Sequence, residues 1–184
     1  MDKLLRVVKR WVSRRLPKQW KWDTLSQFVP AQSSVLDIGC GSGEAGQWIA
    51  ERQQCEVTGL ETVVRPDCRI PCTKFDGHNL PFESSSFDVA LLSDVLHHAD
   101  DPQKLLSEAV RVSRRWVIIK DHASENSLQR WFLWAMDYLT NPPPFRYLSR
   151  RQWKDMLDSC NLVERQRREL HLGLTVFMQL EKRR

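Results

Sequence analysis

Nine residues, Val35-Leu36-Asp37-Ile38-Gly39-Cys40-Gly41-Ser42-Gly43, constrain this chain more than any other stretch. Val35 to Ile38 are apolar apart from Asp37, the length of one buried parallel strand. Glycine then recurs at every second position, and the residues from Glu44 to about Gln54 read as a helix. A strand that breaks on glycines into a helix sets backbone N–H groups and the positive helix end beside an open crevice. Glycine is needed where a Cβ would hold a ligand off that backbone and where the turn requires φ > 0. The stretch predicts an open α/β sheet with a polar-ligand site at the end of its first strand.

Gly41-Ser42-Gly43-Glu44-Ala45-Gly46 also satisfies the dinucleotide pattern G-x-G-x-x-G. Asp37 argues against NAD, because a carboxylate there meets an anionic pyrophosphate poorly but suits the amino group of a cationic ligand. Asp37 to Gly43 resembles the D-x-G-x-G-x-G signature of class I S-adenosylmethionine-dependent methyltransferases. Glu56 to Glu61 reads as the second strand and ends on an acid 18 residues past Gly43, the span of a helix plus a strand. A carboxylate there can accept bonds from both ribose hydroxyls. Phe75-Asp76-Gly77-His78-Asn79-Leu80-Pro81-Phe82, with Phe87-Asp88-Val89 after it, resembles the D-[AG]-x-x-L-P-F…S-F-D-x-V stretch of the small-molecule branch. That is the methyltransferase type 11 group, which includes the quinone methyltransferases.

The resemblance covers residues 30–182 and implies a Rossmann-like, doubly wound, seven-stranded α/β sheet. The sheet is mostly parallel, with helices on both faces and a C-terminal antiparallel hairpin. It also implies S-adenosyl-L-methionine as cofactor, lying across the carboxyl edge against Asp37, Gly39, Cys40, Gly41, Gly43 and Glu61. Asp76 then accepts from the adenine amino group, Gly77 lets backbone approach the ring, and Ser93 and Asp94 lie at the end of the fourth strand. One departure is plain: only Thr62 to Pro71, with two prolines, separate the second strand from Cys72. That is too short for a crossover helix, so a loop is expected there.

For catalysis, Trp116 to Ile119 reads as a buried fifth strand ending in Lys120-Asp121-His122 over the same crevice. His122 is the preferred general base, with Asp121 to orient it. His97 and His98 follow the fourth strand, and either can face the acceptor; His98 is carried as a candidate. The competing reading of each histidine is one satisfied by packing and backbone bonds. The implied acceptor is a small, partly apolar molecule such as a quinone, phenol or lipid-like intermediate. A non-catalytic cofactor-binding or membrane-associated accessory protein is the alternative.

The basic charge is concentrated: residues 1–23 hold eight Lys and Arg against two Asp, leaving the rest of the chain near neutral. Within this tail, residues 3–16 show helical apolar spacing with Lys and Arg between, a pattern suited to an anionic membrane surface or to packing on the domain. Nothing else continues a nucleic-acid track. Residues 24–184 are expected to be the methyltransferase domain, interrupted at 126–145 by an inserted aromatic helix and a Pro142-Pro143-Pro144 turn. That helix reads equally as a lid over the site or as core packing. Five cysteines without a CxxC pair, and no secretory pattern or spanning run, suggest a reducing, cytoplasmic setting, with peripheral membrane contact through the tail. Cys68 and Cys72 are close enough in sequence to share a metal, but a four-ligand set is missing, so idle thiols and no metal are expected.

Overall fold

The computed structural model describes residues 19–138 and 145–183. The expected 3–16 helix and the triple-proline turn lie outside them. The elements are α1 (Gln19–Ser26), β1 (Ser34–Ile38), α2 (Glu44–Gln53), β2 (Glu56–Glu61), β3 (Cys72–Lys74), β4 (Phe87–Ser93), α3 (Pro102–Val112), β5 (Ser113–His122), α4 (Ser127–Tyr138), α5 (Arg150–Ser159), β6 (Leu162–Leu170) and β7 (Thr175–Lys182). The strands form one seven-stranded sheet in the order β3-β2-β1-β4-β5-β7-β6. β1 to β5 run parallel, and β7 is antiparallel to both β5 and β6. This is the expected doubly wound sheet with its terminal hairpin. The chain order reverses direction between β1 and β4, and ligands of such sheets sit at the carboxyl ends beside that switch.

Strand alternation splits the core between the two faces. Val35, Val57, Val89, Leu91 and Ile118 pack with Leu25, Phe28 and Ile49, the α1–α2 side. Leu36, Ile38, Ala90, Leu92, Val117 and Ile119 pack with Leu105, Leu106, Trp153 and Met156, the α3–α5 side. α1 takes in Trp20 and Trp22, the latter against Trp48 of α2 at 5.7 Å. α5 opens on a capping box: Ser149 accepts from Gln152 N–H while the Gln152 side chain accepts from Ser149 N–H.

The connection from β2 to β3 contains no helix, as its length requires. Ile70 closes that face instead, its side chain fitting against the backbone of Gly43, Gly46 and Gly59. β6 is longer than the apolar run from Leu162 predicts. As an edge strand it can continue through Glu164, Arg165, Arg167 and Glu169, because these charges pair across the surface with Glu181, Arg150 and one another.

Candidate active site

The glycine loop leaves β1 with its carbonyl partners fixed by β2: Gly39 and Cys40 N–H both donate to Leu60 O, at 2.7 and 3.2 Å. Gly41 is left-handed (φ 59°), and a Cβ built there meets nothing within 4 Å, so it would project into the crevice. Its N–H donates to Glu61 Oε2 at 2.8 Å, while Glu61 Oε1 takes Thr62 N–H, also at 2.8 Å. Gly46 does not face the crevice. It lets α2 cross the end of β1, where a Cβ would come within 3.0 Å of Asp37 Oδ2. Asp37 is 2% exposed, and Oδ2 has no hydrogen-bond partner among the described residues. Burial, and secondarily the Glu61 carboxylate, push Asp37 up to about 7. Asp76 lies beyond β3 with Oδ1 accepting His78 and Asn79 N–H and Oδ2 accepting the Asn79 side-chain amide. Those bonds, that of Asn79 N–H first, hold its carboxyl down at about 2 and fold the chain around Gly77 (φ 88°).

Across the switch point, Ser93 ends β4 in register with Lys120 of β5. Asp94 follows in a left-handed conformation (φ 59°), its N–H on Lys120 O. The Lys120 ammonium, 2% exposed, is bonded to Asp94 Oδ1. Burial raises the Asp94 carboxyl, but Lys120 and then His122 outweigh it and hold Asp94 below the usual carboxylate range.

The tripeptide Lys120-Asp121-His122 forms the end of β5. Successive strand side chains point to opposite faces, so Asp121 does not orient the His122 ring, which corrects the sequence expectation. Asp121 instead accepts from Leu96 N–H (3.0 Å), His122 N–H (2.7 Å) and the buried imidazole of His97 at Nδ1 (2.5 Å). The His122 ring is fixed by Leu174 O, 3.1 Å from Nδ1, which leaves Nε2 facing Asp94 Oδ1 at 3.6 Å. Burial and then Lys120 lower the His122 pKa, so its imidazole is neutral at physiological pH. In contrast, His97 is raised: burial opposes its charge, but the Asp121 carboxylate more than offsets that. His98 is lowered by burial and by His97, whose ring lies 4.1 Å away.

Lys120, Asp137 and Tyr147 enlarge the candidate set beyond the sequence reading, which already held His97. Tyr147 donates to Asp137 Oδ2 at 2.5 Å, that oxygen lies 3.7 Å from His97 Nε2, and the Tyr147 ring stacks 5.7 Å from His97. Asp137 sits on α4 one turn from Leu133, the residue of that helix that is buried. α4 therefore presents Leu133 and Asp137 inward, while Leu128 (75% exposed), Trp131 (63%), Phe132, Trp134 and Met136 turn outward. It is not a core-packed helix. Asn126 precedes its first turn, with Oδ1 accepting from Gln129 N–H. A lysine inside an otherwise apolar strand was the available signal for Lys120; Asp137 and Tyr147 come from either side of the 139–144 segment and carried none.

Residues 6–165 match the family model described as a methyltransferase domain. The chain belongs to that family. S-adenosyl-L-methionine is accordingly the cofactor of this methyltransferase domain. Among curated relatives, an uncharacterized methyltransferase of Mycobacterium sp. (strain JLS) is 34% identical over 100 residues. The 27-O-demethylrifamycin SV methyltransferase of Amycolatopsis mediterranei is 30% identical over 107. Both matches span 50% of this chain and 39% of the relative, so the chain covers about two-fifths of the length of these relatives. The fold matches that of the Burkholderia thailandensis 1,6-didemethyltoxoflavin-N1-methyltransferase, solved with 1,6-didemethyltoxoflavin and S-adenosylhomocysteine. The TM-score is 0.69 at 17% identity, over 100% of this chain and 90% of that one.

The methyltransferase domain's own geometry fits the cofactor. A buried carboxylate oxygen without a partner suits the ammonium end, and the open side of Gly41 admits a ligand against the backbone. Glu61, half-buried at the end of β2, is the acid within reach of that loop.

Proposed function

We propose that this domain transfers a methyl group to an ionisable oxygen on a small, partly apolar molecule of phenol, quinone-type or lipid-like character. The observation that carries this reading is the placement of the His122 ring. Its Nδ1 is occupied by Leu174 O, its Nε2 lies 3.6 Å from Asp94 Oδ1, and a group of aromatic rings adjoins it. When bound, S-adenosylmethionine supplies a methyl group on a positive sulfonium. The chain's part is to align, to exclude water and to move one proton. His122 Nε2 takes the hydroxyl proton of the acceptor, and the Asp94 carboxylate stabilises the imidazolium that results. His97, His98, Phe145 and Tyr147 form a run of rings at 4.1 to 6.2 Å spacing that suits a flat apolar acceptor. α4, held down through Asp137, is the cover. The relative named as a 27-O-demethylrifamycin SV methyltransferase acts, by its name, at an oxygen, which supports an oxygen acceptor.

A labelled-methyl assay on the purified protein with phenolic, quinol and lipid-like acceptors tests this. Transfer to at least one of them is expected, with His122→Ala lowering kcat roughly hundredfold and leaving cofactor affinity unchanged. Cofactor binding without transfer to any acceptor would favour the non-catalytic alternative.

A second reading concerns where the acceptor is met. The outward Leu128, Trp131, Phe132 and Met136 of α4, together with the basic composition of residues 1–23, suit an anionic membrane surface. Among the described residues no helix is long and apolar enough to cross a membrane. Sedimentation with vesicles should then show binding to anionic but not zwitterionic lipid, weakened severalfold by Trp131→Ser with Phe132→Ser. Equal pelleting with both lipids, or with neither, refutes it.

A further inference from the structure

The short β2–β3 connection does more than replace a helix: it brings its own Cys68, and Cys72 where β3 begins, onto a third cysteine. Cys40, in the glycine loop, Cys68, on the connection, and Cys72, the first residue of β3, bring their sulfurs within 4.8 Å of one another, with Cys40 and Cys72 at 3.5 Å. All three are partly exposed, so an ion can reach them, whereas Cys55 is buried. The backbone around them is fixed. Arg69 N–H donates to Ser42 O (3.0 Å), Gly59 N–H to Pro71 O (2.7 Å) and Cys68 N–H to Arg65 O (3.2 Å). Gly59 makes the room, since a Cβ there would fall 2.6 Å from Cys40 Sγ.

We propose that Cys40, Cys68 and Cys72 form a binding site for a thiophilic d10 cation, Cu(I) or Zn2+, which clamps the short connection to the glycine loop. Metal–sulfur bonds of about 2.3 Å in tetrahedral geometry set their sulfurs roughly 3.8 Å apart, so the cluster needs little movement to coordinate. Three thiolates satisfy Cu(I) alone, while Zn2+ takes water as a fourth ligand; hard cations such as Mg2+ are not selected by sulfur. Binding releases the three thiol protons as the metal–sulfur bonds form, with no change of oxidation state. The expectation of idle thiols from sequence missed Cys40, because only the folded connection brings it to the other two. Cys40 is bonded in sequence to Gly41, whose N–H is held by Glu61. Resting on the cofactor reading above, metal occupancy then stiffens the cofactor loop.

The test uses the full, reduced, metal-stripped chain. Titration with Cd2+ as a spectroscopic probe should give thiolate charge-transfer absorption saturating at one equivalent, and Cys68→Ser with Cys72→Ser should abolish it. Zn2+ should protect Cys40, Cys68 and Cys72, but not Cys160, from alkylation read by mass spectrometry, which needs no variant to fold. Cofactor binding, measured separately with and without Zn2+, should tighten severalfold only in the wild type. Absence of the absorption, or alkylation of all three thiols at the metal-free rate, overturns the metal site. Tight metal binding with unchanged cofactor affinity overturns the coupling to the glycine loop and leaves the metal site standing.

Discussion

Asp37→Asn is expected to make the unliganded protein more stable above neutral pH and, at the same time, to weaken its hold on S-adenosylmethionine. Asp37 is buried, one oxygen lacks a partner, and its pKa rises from 3.8 to about 7. The folded state therefore holds a proton that the unfolded state releases. Stability falls as pH climbs from about 4 to about 7 and is level above that. A shift of this size corresponds to about 4 kcal/mol by linkage, and asparagine removes the charge that costs it. The cofactor effect has the opposite sign. A cationic ammonium beside Asp37 stabilises the carboxylate, and losing a charge-assisted hydrogen bond of about 2 kcal/mol weakens binding roughly thirtyfold. Unfolding at pH 5 and pH 8 measures the first effect. Calorimetry near pH 7 in buffers of different ionisation enthalpy measures the second, and should show proton release by the wild type only. A variant no more stable at pH 8, or one binding the cofactor as tightly as before, would remove Asp37 from the site.

Asp121→Ala should be among the most damaging single changes to stability, by about 3–5 kcal/mol. It leaves the buried His97 imidazole and the Leu96 and His122 amides without their acceptor. The pH dependence identifies the cause. His97 is raised, so its contribution is complete below its unfolded pKa and is lost as pH rises through the folded one. Asp121 is lowered despite its burial, chiefly by His97, so its contribution is present above the unfolded carboxylate pKa and is lost as pH falls through the folded one. Wild-type stability should decline on both sides of this window, and both slopes should flatten in Asp121→Ala. Chemical denaturation across the pH range reads them directly, and unchanged slopes would show that the pair is incidental to the fold.

Much of this molecule follows from local pattern. The run from Val35 to Gly43 sets strand, turn and helix start through apolar length and glycine spacing, and the ten residues between Glu61 and Cys72 exclude a helix by length alone. Ser149 with Gln152, and Asp101 ahead of Pro102, mark helix starts by side-chain chemistry that needs no distant partner. That Lys120, Asp121 and His122 keep strand alternation was not legible, because three polar residues ending an apolar run gain it only by pairing with Phe177, Val176 and Thr175 of β7. That pairing reassigns Asp121 from His122 to His97, since neighbours in a strand face opposite ways. The outward turn of the α4 aromatics and the meeting of Cys40 with Cys68 and Cys72 are likewise tertiary. Sequence by itself determined the sheet, the glycine loop and the acids at the strand ends, because spacing and backbone geometry dictate them. Which imidazole each carboxylate holds, and which thiols meet, was decided only when the chain closed, because those pairings depend on distances between residues 24 to 32 positions apart.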